Sequence, residues 1–129
     1  MSLFNFVIES NKIEGIFRTP TIEEIDAHKT LINRGQPTID VLQAFVSVVA
    51  PGHKLRDKIG LNVRVGNHIA PPGGPDIPPV LKDILRMNNP YQQHLRYERL
   101  HPFTDGNGRS GRALWLWNMV DRGGEDEVL

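Results

Sequence analysis

Twelve residues near the end of the chain, His101 to Arg112, restrict its possible fold and chemistry more than any other segment. They read HPFTDGNGRSGR and contain one histidine, one carboxylate, three glycines, one amide and two arginines. Glycines let backbone N–H groups approach an anion closely, and arginines can hold phosphate oxygens through paired hydrogen bonds. A helical apolar pattern follows at residues 113–120, so a helix N-terminus can also face the anion. The segment therefore predicts a phosphate-binding loop that leads into a helix.

The residue types of this loop also suggest chemistry. His101 is suited to general base catalysis near neutral pH, and Asp105 could hold a Mg²⁺ ion that also contacts phosphates. Residues 106–111 match the dinucleotide-binding pattern G-x-G-x-x-G, but that fingerprint needs a preceding strand, and here a helical pattern precedes the loop. A Walker A loop is disfavoured as well, because Arg112 and Ala113 stand where that motif has lysine and Ser/Thr.

Composition excludes several other classes of protein. The 129 residues suit one domain, and 15 basic residues balance 15 acidic ones, which argues against a general nucleic-acid binder. There are no cysteines, so a disulfide scaffold, a thiolate zinc site and a cysteine nucleophile are excluded. The N-terminus lacks the pattern of a signal peptide, and no window is apolar enough to span a membrane. We expect a cytoplasmic protein with no membrane or nucleic-acid partner.

Helical patterns dominate the rest of the chain and predict an all-α fold with one small β-hairpin. Thr21 and Glu24 form a capping-box pattern at the start of one helix, and a second pattern beginning at Pro37 or Thr38 is disturbed near residue 51 but can resume through Leu55. The predicted helices are 21–33, 38–55, 80–88, 91–100 and 113–120. The alternating stretch 62–69 predicts the hairpin, residues 71–79 a Pro- and Gly-rich loop, and residues 121–129 a frayed acidic tail.

At every specified position, the segment 101–112 resembles the Fic family signature, H-x-F-x-(D/E)-G-N-G-R-x-x-R. The resemblance extends over roughly Ser10 to Val120. It implies a single Fic domain over residues 1–129, a compact helical bundle with a β-hairpin flap. It also implies an enzyme that transfers AMP from ATP to a hydroxyl of a target protein, or of the protein itself, and releases pyrophosphate.

The resemblance also assigns roles to individual residues. His101 would be the general base that takes the proton of the target hydroxyl, and Phe103 would anchor the loop in the core. Asp105 would bind Mg²⁺ (or Mn²⁺) between the α- and β-phosphates. The nucleotide-binding residues would be Gly106, Asn107 and Gly108 around the phosphates, Arg109 near the β-phosphate and Arg112 at the γ-phosphate.

The flap of this family clamps a target peptide by strand addition. The resemblance places that role on Val63, Arg64, Val65 and Gly66. Ala70 stands where many relatives have an aromatic residue before the prolines. A hairpin with a purely structural role therefore stays open as an alternative.

The segment SNKIEG, Ser10 to Gly15, resembles the inhibitory motif (S/T)-x-x-x-E-(G/N) of the family, within an inhibitory N-terminal segment over residues 1–20. The resemblance implies that Glu14, on a helix beside the loop, pairs with Arg112 and so competes with the γ-phosphate of ATP. The alternative is that Glu14 is an ordinary solvated residue. Two other functions stay open, namely removal of AMP from a modified protein, with Glu14 positioning a water, and a nucleotide- or protein-binding module with little turnover.

Overall fold

A computed structural model describes residues 2–123, which form six helices and one two-stranded antiparallel hairpin. The elements are α1 (Leu3–Ile13), α2 (Ile22–Ile32), α3 (Ile39–Val49), β1 (Arg64–Val65), β2 (His68–Ile69), α4 (Ile77–Leu85), α5 (Pro90–Leu100) and α6 (Asn107–Gly123). The predicted fold, a mostly helical bundle with one small hairpin, is confirmed. No helix within residues 2–123 combines the length and the apolar character needed to cross a bilayer.

Helix α6 is the central element and packs against α5, α2, α3 and α1. Its residues Ala113, Leu114, Leu116 and Trp117 are all buried, which requires neighbours on more than one side of the helix. Each fully buried large apolar side chain contributes about 1.5–3 kcal/mol. The surrounding helices add the rest of the core, which includes Leu31, Leu42, Phe45, Val46, Ile77, Leu81 and Tyr97.

Side-chain caps fix where several helices begin. The capping box predicted at α2 is present, with the Thr21 hydroxyl accepting from the Glu24 amide and the Glu24 carboxylate accepting from the Thr21 amide. At α3 and α5 only the cap side chain takes part, with Thr38 accepting from the Val41 amide and Asn89 from the Gln92 amide. Each such cap typically contributes about 1 kcal/mol.

Several predicted boundaries are wrong. Helix α3 ends at Val49 and does not resume through Leu55, because Pro51 supplies no N–H and Gly52 takes a positive φ of 85°. The predicted loop 71–79 ends early, since α4 begins at Ile77 and accepts two prolines in its first turn, where their missing N–H groups need no partner.

Another wrong boundary is the start of α6, which is Asn107 and not Ala113. Residues 107–112 of the predicted catalytic loop are therefore the first turns of this helix. Position 111 holds a glycine although glycine is a poor helix former. A Cβ there would lie 2.5 Å from a Glu98 carboxylate oxygen and 3.1 Å from the Tyr97 ring, so tight packing overrides helix propensity. At the other end, α6 reaches Gly123, and the rest of the predicted frayed tail lies outside the described residues.

Candidate functional site

His101 terminates α5 and begins the loop. It is the one non-glycine residue with a positive φ, 47°, among those the structure describes. This left-handed conformation costs an ordinary residue about 1–2 kcal/mol, so the surroundings must hold it. Its Nδ1 donates to the Glu98 carbonyl, which leaves Nε2 as the basic nitrogen of the neutral ring. The half-buried imidazole is thus oriented for general base work.

The Asn107 side chain closes the loop by pairing with both backbone groups of Phe103. The Asn107 amide accepts from the Phe103 N–H at 2.9 Å and donates to the Phe103 carbonyl at 2.8 Å. Phe103 itself is fully buried in the core. Ser110 reinforces the turn by donating to the Gly106 carbonyl at 2.7 Å and by contacting the buried Tyr97 hydroxyl at 2.7 Å. The loop is therefore rigidly attached to α5 and α6.

The N-terminus of α6 presents unpaired donors. Gly106 precedes the helix with a φ of 80°, and as a glycine it has no side chain to cap the first turn. The first intrahelical bond is donated by Ser110, and within residues 2–123 no acceptor meets the amides of Asn107, Gly108 or Arg109. Three free N–H groups at a helix N-terminus form a site suited to an anion such as phosphate.

The two arginines of the loop have different environments. Arg109 is buried, and its Nη1 donates to the Val49 carbonyl at 2.6 Å, which ties α6 to the end of α3. Its predicted contact with the β-phosphate stays a prediction. Arg112 is partly exposed, and its guanidinium lies against α1.

Arg112 donates three hydrogen bonds to α1 and its C-cap residue. Its Nη2 lies 2.7 Å from a Glu14 carboxylate oxygen and 3.0 Å from the Ser10 carbonyl, and its Nε lies 2.8 Å from the Ser10 hydroxyl. Gly108 makes this approach possible, because a Cβ there would lie 2.6 Å from the Glu14 carboxylate. Glu14 is the C-cap of α1, one residue beyond the helix in which it was expected. The pair lies directly beside the free amides of α6.

Asp105 is exposed at the tip of the loop. One carboxylate oxygen accepts from the Gly106 amide at 2.8 Å, and the other lies 3.8 Å from Nε2 of His53. No group of three metal-ligating side chains occurs in the part of the chain that the structure describes. Asp105 alone nevertheless fits a Mg²⁺ ion, because Mg²⁺ in such sites takes one or two carboxylates and completes its shell with substrate phosphates and waters.

The hairpin lies beside the base. His68 Nε2 donates to the Arg99 carbonyl at 2.9 Å, and the His68 ring centroid lies 6.5 Å from that of His101. Of the predicted flap residues, Arg64 and Val65 form β1, Val63 precedes it, and Gly66 is in the turn. Val63 is half-exposed and the other three residues are exposed, so the edge of the flap is accessible to solvent.

Arg56 also belongs to the site, although no sequence pattern pointed to it. This side chain is completely buried, and burial lowers the pKa of its guanidinium. It donates to four backbone carbonyls, including those of Leu100 and His101 at 2.6 Å each. In the sequence it sits in the charged run KLRDK, which is typical of a solvated loop, so no local signal distinguishes it.

Helix α1 is fastened to the bundle through Glu24. This buried carboxylate accepts from Asn11 of α1 at 2.8 Å, from Arg18 at 2.5 Å and from the Thr21 amide and hydroxyl. Burial by itself raises the pKa of Glu24, but the hydrogen bonds outweigh it and lower the pKa from 4.5 to about 2. The ionised carboxylate thus holds the segment that carries Glu14.

The lowered pKa of Glu24 predicts a pH-dependent stability. A depressed carboxyl pKa stabilises the folded state above the unfolded value of 4.5, and the contribution is lost as pH falls towards about 2. The shift corresponds to roughly 3 kcal/mol. We expect the free energy of unfolding in urea, followed from neutral pH down to about pH 2, to fall less steeply for Glu24→Gln than for the wild type. Glu23→Gln, an exposed neighbour, is the control, and equal pH slopes for all three proteins would contradict the assignment.

The comparison with known families bears on the loop, the flap and the helices around them. The Fic/DOC family model matches residues 21–119, which is most of the chain. The chain belongs to the Fic/DOC family. Members of this family often transfer AMP to proteins, and the family generally uses ATP and Mg²⁺.

The Fic match covers the loop, the open N-terminus of α6 and the hairpin, but it begins at Thr21. Helix α1 and Glu14 therefore lie outside the matched region. Their inhibitory assignment depends on the sequence motif and on the contacts with Arg112. The roles of the individual Fic loop residues stay predictions as well.

Proposed function

We propose that this protein is an adenylyltransferase that moves AMP from ATP to a hydroxyl of a protein, and that Glu14 restrains it. The observation that carries the proposal is the arrangement around the loop. A base with a defined free nitrogen, His101 Nε2, begins the loop, and three unpaired amides and Arg112 follow at the start of α6. A nucleotide-binding module without turnover would have no need for the oriented base.

Different residues of the chain carry out different parts of the proposed reaction. His101 Nε2 takes the proton of the target hydroxyl as its oxygen attacks the α-phosphorus of ATP. The new P–O bond forms in line with the bond between the α-phosphorus and the oxygen that bridges it to the β-phosphate. This second bond breaks, and the bridging oxygen leaves as part of pyrophosphate. The free amides at the start of α6 stabilise the negative charge on the phosphate oxygens, and Arg112 binds the γ-phosphate. Catalysis is then mainly orientation and charge stabilisation.

The metal requirement depends on Asp105. Bound Mg²⁺ supplies charge neutralisation on the phosphates, and Asp105 is the carboxylate of the loop that can hold it. We expect Asp105→Asn to lower the transfer rate by at least about tenfold and to raise the Mg²⁺ concentration that gives half-maximal rate. His53→Gln is the control, because it changes a side chain beside the carboxylate without removing the carboxylate itself. An unchanged Mg²⁺ dependence in Asp105→Asn would remove Asp105 from this role.

The restraint follows from competition for one guanidinium. Arg112 has its Nε and Nη2 atoms occupied by Ser10 and Glu14, so a γ-phosphate must displace the Glu14 carboxylate to gain a bidentate contact. The contacts through Ser10 and the tether through Glu24 keep Glu14 in place. Bound ATP would therefore be rare or would lie in an unreactive position.

Removal of AMP from a modified protein is the second candidate, and the unpaired carboxylate oxygen of Glu14 favours it. This oxygen has no hydrogen-bond partner among residues 2–123, and the Glu14 side chain is partly exposed. It could orient a water against the phosphorus of an AMP-modified side chain. The two functions respond oppositely to Glu14→Gly, which increases transfer but abolishes removal.

The transfer reaction is tested with ATP labelled at two positions. Glu14→Gly protein is incubated with Mg²⁺ and ATP carrying the label in either the α- or the γ-phosphate, and protein-bound label is measured. AMP transfer places α-label on protein and releases γ-label as pyrophosphate. Protein-bound γ-label would indicate phosphoryl transfer and overturn the proposal. Absence of both labels, with nucleotide binding intact, would favour the binding-module alternative.

A further inference from the structure

Arg56 makes an unusual set of contacts for a fully buried cation. All four of its side-chain hydrogen bonds end on backbone carbonyls. Nε reaches His101 and Nη2 reaches Leu100, each at 2.6 Å. Nη1 is shared between Leu61 at 3.0 Å and Pro71 at 2.8 Å. No carboxylate pairs with Arg56 anywhere in residues 2–123.

The four carbonyls belong to two parts of the site. Leu61 and Pro71 lie on either side of the flap, whose strands span residues 64–69. Leu100 and His101 are the end of α5 and the predicted general base. One rigid guanidinium therefore joins both stems of the flap to the backbone of the base. The backbone of Arg56 adds to this link, since its amide donates to the Pro102 carbonyl at 2.8 Å.

The base needs such a support because of its backbone conformation. His101 has a φ of 47°, which a residue with a side chain adopts only where its surroundings fix it. Its imidazole is oriented from within α5 by the Glu98 carbonyl, and its own carbonyl is held by Arg56 Nε. Loss of the Arg56 contact would free the peptide that sets the direction of the imidazole.

We propose that Arg56 is a positioning residue for the transfer reaction, which sets the His101 base and the flap in fixed relation to each other. Arg56 contacts neither nucleotide nor target in this role, and it acts through the carbonyls that it binds. The inference rests on the proposed transferase function for its kinetic test. Lysine cannot replace it, because a single ammonium cannot reach four acceptors with the geometry of a planar fork.

Gln93 serves as a matched control that distinguishes the positioning role of Arg56 from a purely structural role. Gln93 is also completely buried, and its Nε2 donates to the carbonyls of Ile84 and Met87 at the end of α4, away from the loop. Both side chains therefore satisfy carbonyls at a helix C-terminus from inside the fold. Gln93→Ala should lower stability and leave the chemistry of the site unchanged.

The experiment compares Arg56→Lys, Arg56→Gln and Gln93→Ala in the Glu14→Gly background. Thermal unfolding reports stability, a fluorescent ATP analogue with Mg²⁺ reports nucleotide binding, and α-label transfer reports kcat. The NMR signal of the His101 ring, assigned by its loss in His101→Ala, reports the imidazole independently of activity. We expect the Arg56 variants to lower kcat by about 10–100-fold, with nucleotide affinity within a few-fold of the parent, and to shift the His101 signal. Gln93→Ala should lower only the unfolding temperature.

Equal kcat and an unmoved His101 signal in a folded Arg56 variant would overturn the proposal. A loss of kcat in Gln93→Ala that matches the Arg56 variants at equal stability would do the same, and so would failure of both Arg56 variants to fold, which would assign the residue to stability alone. If no protein in the series transfers AMP, the proposed function fails. The His101 signal then still decides whether Arg56 positions the imidazole.

Discussion

Replacing His101 with alanine is expected to lower the rate of AMP transfer by about 10²–10⁴-fold, the usual cost of losing a general base. The affinity for ATP should change little, because the predicted phosphate contacts come from the start of α6 and from Arg112, which do not involve the imidazole. The measurement is α-label transfer alongside nucleotide binding, in a Glu14→Gly background so that the parent rate is measurable.

The left-handed backbone of His101 requires a second variant. Alanine is poorly suited to a positive φ, so His101→Ala could lose activity through a displaced loop. Asparagine adopts this conformation more readily and has no basic nitrogen at neutral pH. His101→Asn should therefore be as inactive as His101→Ala, while His94→Ala, a histidine earlier on α5, should retain the parent rate. Substantial transfer by His101→Asn would show that the imidazole is not the base.

The sequence predicted those features of the fold that depend on local patterns. The capping box at Thr21 and Glu24 marked the start of α2 because both of its partners lie within one turn. The alternation around residues 62–69 likewise predicted the hairpin. The start of α6 was missed because Gly108 and Gly111 are poor helix formers. Their cost is offset by close packing of Gly108 against Glu14, which is distant in sequence, and of Gly111 against Tyr97, which lies on α5.

The candidate site was predictable where one short segment carries it, and less so where it is assembled from several. His101, Asp105 and Arg112 come from a continuous motif whose residue types indicate phosphate chemistry. Arg56 and Glu24 support the site through contacts across the fold. In the sequence Arg56 looks like an ordinary charged residue, and Glu24 is recognisable only as the capping-box partner of Thr21. The dual role of Glu24, as cap of α2 and anchor of Asn11, needs the packing of α1 on α2, which no periodicity reveals.

Replacing Glu14 with glycine is expected to raise self-modification by at least about tenfold, which requires a bias of only ~1.4 kcal/mol in favour of the inhibited state. The substitution removes the carboxylate that occupies Arg112 at 2.7 Å. Because Glu14 is the C-cap of α1 and not an interior helical residue, glycine should cost the helix little there. Transfer of α-label to the protein and ATP affinity should rise together, since both depend on the freed guanidinium.

Variants of both partners separate charge from helix integrity. Glu14→Gln keeps the side chain length and loses the charge, so it should activate partly, whereas Glu9→Gln, an exposed carboxylate on the same helix, should not activate. Arg112→Ala also breaks the pair, but it should not activate, because the same arginine is predicted to bind the γ-phosphate. If Glu14→Gly neither binds nor turns over ATP better than the wild type, the contact with Arg112 serves to pack α1 against α6. The restraint would then be abandoned, while membership of the Fic/DOC family would be unaffected, because the matched region begins after α1.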